Sequence, residues 1–357
     1  MMSRIENIQS ELVENSLDAM LITSPYNLRY ASGFTGSTGL SVITKDHAFF
    51  VTDFRYTEQA AEQAVGFEVI QNKGSIYDVV TEIITEQNIT KIGFEENHVS
   101  FSTYASIKES FECELVPVST LIEDIREIKD DAEVDLIQEA ISITEAAFEH
   151  ILTYIKPGMT EIKVANELDF FMRERGASGV SFDTIVASGV RSAMPHGVAS
   201  DKVIEIGDMI TIDFGCYYKG YVSDMTRTFA LGDPGEELKK IHQIVLDANL
   251  KVSAAAKAGV TGAELDSIAR DYITEQGYGE AFGHSTGHGI GLEVHEGPGI
   301  NFKNDQPLVV GNVITNEPGI YIPGLGGVRI EDDLLITKDG NRNLMQSTKE
   351  LIIIDEK

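Results

Sequence analysis

The sequence predicts an α/β N-terminal domain followed by a larger α+β domain that contains an internal duplication. Before residue 120, short apolar segments of strand character alternate with helical segments, which is typical of an α/β domain. After that point, IGDMITIDFG (206–215) aligns without gaps with VGNVITNEPG (310–319). The charged stretch between these regions predicts domains of residues 1–125 and 126–357.

Each element of the first domain follows from its hydrophobic spacing. Residues 4–16 have apolar side chains on one helical face, and 39–53 predicts a hairpin that turns at Lys45-Asp46. Arg55, just after that hairpin, is either a substrate contact or, as we favour, a surface ion-pair partner. The remaining elements are strands at 18–25, 67–70, 91–96 and 114–118 and helices from Tyr56 and near 76–87 and 101–111.

Composition excludes several classes of function. The net charge of −29 argues against binding to nucleic acid or to an anionic membrane, because both need basic patches. No apolar run reaches transmembrane length. The two cysteines, Cys113 and Cys216, form no CxxC motif and predict no disulfide framework. We therefore expect a cytoplasmic protein.

The duplication extends upstream of the two aligned segments. KPGMT (156–160) matches KAGVT (257–261), and each is followed by a helical run. Thr160 and Thr261 are predicted helix N-caps, the second with Glu264 in a capping box. In the aligned segments Asp213 falls on Glu317, so a carboxylate occupies the same position in both copies.

Each copy predicts a hairpin with two facing acids. A turn between Tyr218 and Lys219 would set Asp213 across from Asp224, with Cβ atoms roughly 5 Å apart. In the second copy, a turn centred on the glycine-rich Gly324 region would set Glu317 opposite Glu331. Packed about a pseudo-twofold axis, the four acids would converge.

Histidines supply a second signal. His284, His288 and His295 lie among glycines in AFGHSTGHGIGLEVHEGPG (281–299), and His196 lies in the turn-like SAMPHG (192–197) beside the first hairpin. Three histidines in twelve residues indicate metal binding or proton transfer. Alternation around His288 and through 292–295 predicts strand structure.

The acids and one imidazole predict a metal centre. Four carboxylates carry a charge of −4, which two divalent ions would neutralise. Ligation mainly by oxygen favours Mn²⁺, Co²⁺ or Fe²⁺, with Zn²⁺ also possible. Such a pair of ions promotes hydrolysis by activating water.

Four motifs in this order resemble one known family. DFGCYYKGYVSDMTRTF, GHSTGHGIGLEVHEGP, TNEPGIYIPG and GGVRIEDD are similar to motifs of the metallopeptidases with the pita-bread fold. Within them, the sequence resembles the proline-specific branch, which comprises Xaa-Pro dipeptidase (prolidase) and aminopeptidase P. The resemblance implies a pita-bread fold for the C-terminal domain and a creatinase/prolidase type of N-terminal domain.

The resemblance also implies residue roles. Asp224 and Glu331 would bridge two metal ions, Asp213 would hold one, and His288 with Glu317 the other. Glu317 would also shuttle a proton. The implied groups that line the substrate pocket and stabilise the tetrahedral intermediate are His196, His284 and His295. Arg329, on the same strand face as Glu331, would orient the Glu331 carboxylate without itself binding a metal ion.

The implied activity is hydrolysis of the bond between an N-terminal residue and proline. The substrates would be Xaa-Pro dipeptides or short peptides, the cofactor most simply Mn²⁺, and the assembly a homodimer. An aminopeptidase P acting on longer peptides is the alternative. A non-catalytic binding protein on the same fold is an alternative of another class.

Overall fold

The computed structural model describes residues 3–355. They form two compact units, with the division between Arg126 and Glu127. None of the helices described in these residues combines the length and apolar character needed to cross a membrane.

The N-terminal unit contains a six-stranded mixed sheet and six helices among the described residues. The strands are β1 (Ala19–Ile22), β2 (Leu40–Thr44), β3 (Ala48–Thr52), β4 (Glu68–Gln71), β5 (Lys91–Glu95) and β6 (Glu114–Val118). The helices are α1 (Arg4–Glu14), α2 (Pro25–Ser32), α3 (Thr57–Gln63), α4 (Ile76–Glu86), α5 (Phe101–Ser110) and α6 (Leu121–Arg126). The strands lie in the order β4-β3-β2-β1-β5-β6. The β2–β3 hairpin pairs Ile43 with Ala48, which confirms the predicted turn at Lys45-Asp46. Helices α2 and α6 were not predicted.

The C-terminal unit repeats one order of elements, two helices followed by a hairpin. Its helices are α7 (Asp131–Tyr154), α8 (Glu161–Glu174), α9 (Glu236–Ala255) and α10 (Gly262–Glu275). The predicted caps are confirmed: Thr160 accepts a hydrogen bond from the Lys163 amide, and Thr261 forms a capping box with Glu264. These caps satisfy amides that would otherwise lack partners at the first turn of each helix.

The strands of this unit form a four-stranded sheet, a five-stranded sheet and two smaller sheets. The strands from the first copy are β7 (Gly179–Val180), β8 (Ile185–Ser188), β9 (Asp208–Phe214), β10 (Cys216–Tyr218), β11 (Tyr221–Val222) and β12 (Met225–Leu231). Those after α10 are β13 (Gly287–Gly289), β14 (Glu296–Ile300), β15 (Val313–Asn316), β16 (Gly319–Ile322), β17 (Gly326–Arg329), β18 (Asp332–Ile336), β19 (Asn341–Asn343) and β20 (Ile353–Ile354). The four-stranded sheet has the order β20-β12-β9-β8, and the five-stranded sheet has the order β14-β13-β15-β18-β19.

The first hairpin has a register different from the predicted one. Asp213 on β9 pairs with Thr226 on β12, so the prediction that Asp213 directly faces Asp224 is wrong by two residues. The turn lies at Lys219-Gly220, whose φ angles of 47° and 90° fit a tight turn matched to strand twist. Because the shift is an even number of residues, Asp224 stays on the strand face of Asp213.

The second hairpin has the predicted register. Gly319 on β16 pairs with Arg329 on β17, and the same register continues between β15 and β18. It sets Glu317 opposite Glu331, which confirms the predicted pairing. Gly324 has a φ of 83°, a conformation that glycine adopts without strain.

Helices α9 and α10 cover the second hairpin and fix its position. Fully buried Val245 and Val252 of α9 belong to one apolar cluster with Ile314 and Ile330, which flank the acid-bearing segments. Each such side chain contributes roughly 1.5–3 kcal/mol on burial. The cluster therefore supports a rigid back wall behind the carboxylates.

Candidate metal centre

The predicted ligands lie where strands end or change partners. Asp213 is near the end of β9, His288 is at the centre of β13, and the other three occupy short links between paired strands. These three links hold Asp224, Glu317 and Glu331. Strand ends and links free the side chains from sheet packing, so all five line one cavity of about 500 Å³.

The ligand atoms are close to one another. His288 Nε2 lies 3.4 Å from Glu317 Oε1 and 3.7 Å from Asp224 Oδ2. Ligand atoms of Asp224, His288 and Glu331 lie within 4.8 Å of one another. This spacing suits ligands that surround a cation.

The acids raise one another's proton affinity. Burial, with the charge of Glu331 as the next cause, raises the pKa of Asp224 well above its usual range. The pKa of Glu331 is raised in the same way, by burial and then by Glu317. Burial raises the pKa of Glu317 to about 8. The fold therefore keeps carboxyl groups close together although their negative charges repel one another. A cation bound between them would offset this repulsion.

One guanidinium offsets part of this charge. Arg329, 3% exposed, donates from Nη2 to Asp213 Oδ2 at 2.6 Å and from Nε to Thr226 Oγ1 at 3.1 Å. Thr226 Oγ1 in turn donates to Glu331 Oε2 at 2.7 Å. Arg329 thus fixes the orientation of Asp213 directly and that of Glu331 through one threonine.

The second carboxylate oxygen of Asp213 indicates whether a cation fits the cavity. Its second oxygen, Oδ1, is buried and has no hydrogen-bond partner among the described residues. A buried carboxylate oxygen without a partner is costly. Its place beside the acid cluster makes it suitable as a metal ligand, so the donor set fits a divalent cation.

His288 has the tautomer that a ligand needs. Its Nδ1 lies 3.1 Å from the carbonyl oxygen of Gly289, which assigns the proton to Nδ1 and leaves the Nε2 lone pair facing the acids. Burial lowers the pKa of His288 to about 4, so the ring is neutral at pH 7. In metal-bound histidines, the ring nitrogen that does not bind the metal typically donates its proton to a carbonyl or carboxylate oxygen, as Nδ1 does here.

The other three histidines differ in accessibility. His196 and His295 are exposed at the cavity, and the His295 ring centroid lies 4.3 Å from that of His288. Residues 291–295 are bends, so the predicted strand through 292–295 is wrong; the amide of Gly291 donates to the Glu293 carbonyl and closes a turn there.

The structure gives His284 protein partners at both ring nitrogens. Nδ1 lies 2.8 Å from the Ser285 carbonyl, and Nε2 lies 2.9 Å from the Tyr321 hydroxyl. Tyr321 accepts a hydrogen bond from Arg329 Nη1 at 2.7 Å, so its own proton is available to His284 Nε2. His284 lines the cavity, but its nitrogens are directed at protein atoms.

A buried glutamate on α8 holds the segment that carries His196. Glu161 accepts from the amide of Ser188 (2.8 Å) and from the amide of Ser200 (3.1 Å), at the two ends of the segment. Arg191 also contacts Glu161 and donates to the Val198 carbonyl. His196 is therefore presented by a loop that is tied at both ends.

Sequence reasoning missed Tyr321, Thr226 and Glu161. Tyr321 lies four residues after Glu317 on the same face of an extended segment, which was the available signal.

Arg55, whose role the sequence left open, is in the N-terminal unit. It pairs with Asp53 at 2.7 Å (Nη2–Oδ2), so it is the surface ion-pair partner that we favoured. Asn316, which directly precedes Glu317, is fully buried. Its side chain donates to the Asn249 carbonyl on α9 and so lies away from the acids.

Replacing Tyr321 with phenylalanine should weaken this arrangement. Tyr321→Phe keeps the ring but leaves Arg329 Nη1 and His284 Nε2 without their buried partner. We expect the free energy of unfolding in urea to fall by about 1–3 kcal/mol. Tyr218→Phe, at a partly exposed tyrosine, is the matched control and should cost less than about 0.5 kcal/mol. Equal losses in the two variants would contradict the assigned role.

An α/β unit and a duplicated α+β unit that gathers four carboxylates and an imidazole define a metal-dependent hydrolase. The chain belongs to metallopeptidase family M24, whose profile matches residues 135–338. The profile of the creatinase/prolidase N-terminal domain matches residues 4–128. The predicted fold class, including the pita-bread domain, is thereby confirmed, and the protein is a hydrolase that uses divalent metal.

Three relatives illustrate the similarity. The structure of an Xaa-Pro dipeptidase from Bacillus anthracis has 55% sequence identity and a TM-score of 0.97, covering 98% of this chain and 99% of its own. The structure of an X-Pro aminopeptidase from Thermotoga maritima has 44% identity and a TM-score of 0.92, covering 97% and 100%. The Xaa-Pro dipeptidase of Pyrococcus furiosus is 42% identical over 355 residues, 99% of this chain and 100% of its own.

Proposed function

We propose that this protein hydrolyses the peptide bond between an N-terminal residue and proline, as an Xaa-Pro dipeptidase. The observation that carries the proposal is the convergence of four carboxylates and a neutral imidazole in one cavity of a family M24 fold. Full-length similarity to proteins named Xaa-Pro dipeptidase supports the choice of substrate.

Two divalent cations, most simply Mn²⁺, would be held by these five side chains. Two such ions match the four negative charges, and the ligand set is rich in oxygen, which suits Mn²⁺, Co²⁺ or Fe²⁺ and admits Zn²⁺. When bound, the ions supply Lewis acidity and lower the pKa of water. The residues that would hold the ions are Asp213, Asp224, His288, Glu317 and Glu331.

The chain's own residues move the proton and stabilise charge. Glu317 lines the cavity beside Asp224 and His288, and its carboxylate would take a proton from water and deliver it to the leaving proline nitrogen. His196 and His295 line the cavity and would donate to the oxyanion of the tetrahedral intermediate, each worth roughly 3 kcal/mol when well aligned. Because protein atoms hold both of its ring nitrogens, His284 would shape the cavity beside them rather than donate to the oxyanion.

An Xaa-Pro bond has no N–H, so recognition depends on the shape of the pyrrolidine ring and on the charged ends of the substrate. The cavity lining includes apolar side chains that would pack against the ring, and its acids favour the free amine. These apolar side chains are Phe182, Ile185, Val198 and Val294.

The substrate assignment is tested with purified protein loaded with Mn²⁺. We expect cleavage of Ala-Pro and, because Ala-Ala leaves the proline pocket empty, at least about tenfold lower kcat/KM for Ala-Ala. Free proline is measured by chromatography. A protein that leaves every Xaa-Pro substrate intact would contradict the proposal.

An aminopeptidase acting on longer peptides is the second candidate, favoured by the similarity to the X-Pro aminopeptidase of T. maritima. Ala-Pro and Ala-Pro-Ala-Ala separate the two: a dipeptidase prefers the first and an aminopeptidase accepts the second. The family assignment favours either enzyme over the non-catalytic binding protein.

We further propose a homodimer in the cytoplasm. The dimer rests on the family resemblance and is tested by light scattering coupled to size-exclusion chromatography. The compartment is supported by the free thiols of Cys113 and Cys216, which are common in reducing surroundings.

A further inference from the structure

A dipeptide substrate presents a carboxylate only one residue beyond the cleaved bond, and the cavity must neutralise it. Among the described residues that line the cavity, Arg329 is the one permanent cation. Its Nε, Nη1 and Nη2 donate to Thr226, Tyr321 and Asp213, and its charge is balanced by the ion pair with Asp213. A positive charge that balances the substrate carboxylate must therefore come from a residue outside this cavity lining.

A second cavity, of about 470 Å³, adjoins the first. Both are lined by His284, Ser285 and Asn301, so the two spaces meet along this rim. The second cavity adds two cations, Arg270 and Lys303. A substrate whose scissile bond lies at the acid cluster would direct its carboxyl end toward this rim, away from the acids that repel it.

Only one of these two cations is available. Arg270 is bound to both oxygens of Asp266 at 2.8 and 2.9 Å and donates to the carbonyl oxygens of Phe282 and His284. Lys303 is exposed and, in the part of the chain that the structure describes, has no acidic partner; its Nζ lies 5.5 Å from the Phe302 ring centroid.

The loop that carries Lys303 is ordered by its own amides. Asn301 Oδ1 accepts from the Lys303 backbone N–H at 3.0 Å, which directs the Asn301 amide oxygen into the loop. Asn304 Nδ2 donates to the Gly299 carbonyl at 2.7 Å and closes the base of the loop. Asn301 thereby keeps its Nδ2 group as a donor at the rim, beside the lysine.

We propose that Lys303, with the amide of Asn301, binds the C-terminal carboxylate of the dipeptide and makes the enzyme selective for dipeptides. The assignment rests on the proposed Xaa-Pro activity and adds the specificity determinant. An ammonium and an amide N–H each give a carboxylate one charge-assisted hydrogen bond. A longer peptide lacks a charge at this position and gains nothing from the lysine.

The test varies the residue and the substrate together. Wild type, Lys303→Met and Lys303→Arg are loaded with Mn²⁺ and assayed on Ala-Pro and on Ala-Pro-amide, in which the carboxylate is neutral. Wild type should prefer Ala-Pro. Lys303→Met should lower kcat/KM for Ala-Pro by about tenfold, mainly through KM, with less than about a twofold change for the amide. Lys303→Arg should retain most of the preference.

Lys338→Met removes another exposed lysine and is the matched control; it should behave as wild type on both substrates. If wild type cleaves neither substrate, the proposed function and this assignment both fail. If wild type cleaves Ala-Pro, and Lys303→Met keeps the same ratio between the two substrates, only the assignment of Lys303 is overturned. Equal use of both substrates by wild type would overturn it too.

Discussion

Glu331→Gln is expected to reduce kcat/KM for Ala-Pro by more than about a thousandfold. Loss of residues that merely orient metal ligands costs roughly 10–100-fold, and Glu331 is proposed as a metal ligand itself. Glutamine keeps the size of the side chain and can still accept from Thr226 through its carbonyl oxygen, so the fold is preserved. What it removes is one negative charge and one metal-binding oxygen.

Metal content is the second measurement on this variant. The wild type should retain close to two ions per chain after dialysis, and Glu331→Gln should retain fewer. Asp333→Asn is the matched control, since Asp333 is also fully buried with a raised pKa but is not one of the proposed ligands. Full activity and metal content in Glu331→Gln would contradict the assignment of Glu331 as a metal ligand.

Metal removal is expected to make stability fall as pH rises. In the metal-free protein the folded-state pKa values of Asp224 and Glu331 lie well above their ordinary values, and that of Glu317 is about 8. A carboxyl whose folded pKa is raised stabilises the fold below its unfolded pKa and loses this contribution as pH rises through its folded pKa. Stability should therefore decline from about pH 5 to about pH 8, by several kcal/mol.

Thermal melts of EDTA-treated protein across this range measure the effect. Added Mn²⁺ should raise the melting temperature more at pH 8 than at pH 5, because the ions compete with protons for the same oxygens. Metal-free Glu331→Gln should show a shallower decline and melt above the metal-free wild type at pH 8. A melting temperature of the metal-free wild type that rises between pH 5 and 8 would contradict this account.

Local signals predicted much of the fold. Thr160 and Thr261 cap helices because short polar side chains before an amphipathic run satisfy free amides, a rule that needs no tertiary information. The register of the second hairpin followed from a glycine-rich turn centred on Gly324. Both features depend on residues close together in the chain.

The errors arose where local signals were weak. The turn of the first hairpin uses Lys219 with a positive φ, a conformation that is uncommon outside glycine, asparagine and aspartate, so the turn was placed one residue too early. That displacement moved the partner of Asp213 by two residues. The prediction that Asp213 and Asp224 share one face of the hairpin is still correct, because side chains two residues apart in a strand lie on the same face.

The supporting residues of the site depend on contacts between distant segments. Tyr321 has the spacing of an ordinary buried strand residue, and only the approach of Arg329 and His284 in space reveals its role. Glu161 reads as the first residue of a capped helix, yet its carboxylate binds a loop 27 to 39 residues away. Such contacts have no periodic signature in the sequence.

The repeated order of helices and hairpin divides the ligands unequally between two copies. The first copy supplies Asp213 and Asp224, and the second supplies His288, Glu317 and Glu331, so neither is a minimal enzyme. If the two copies descend from one ancestral module, that module could complete such a centre only as a pair of identical chains. Fusion then replaced an encounter that depends on concentration by a fixed one-to-one stoichiometry within a single polypeptide.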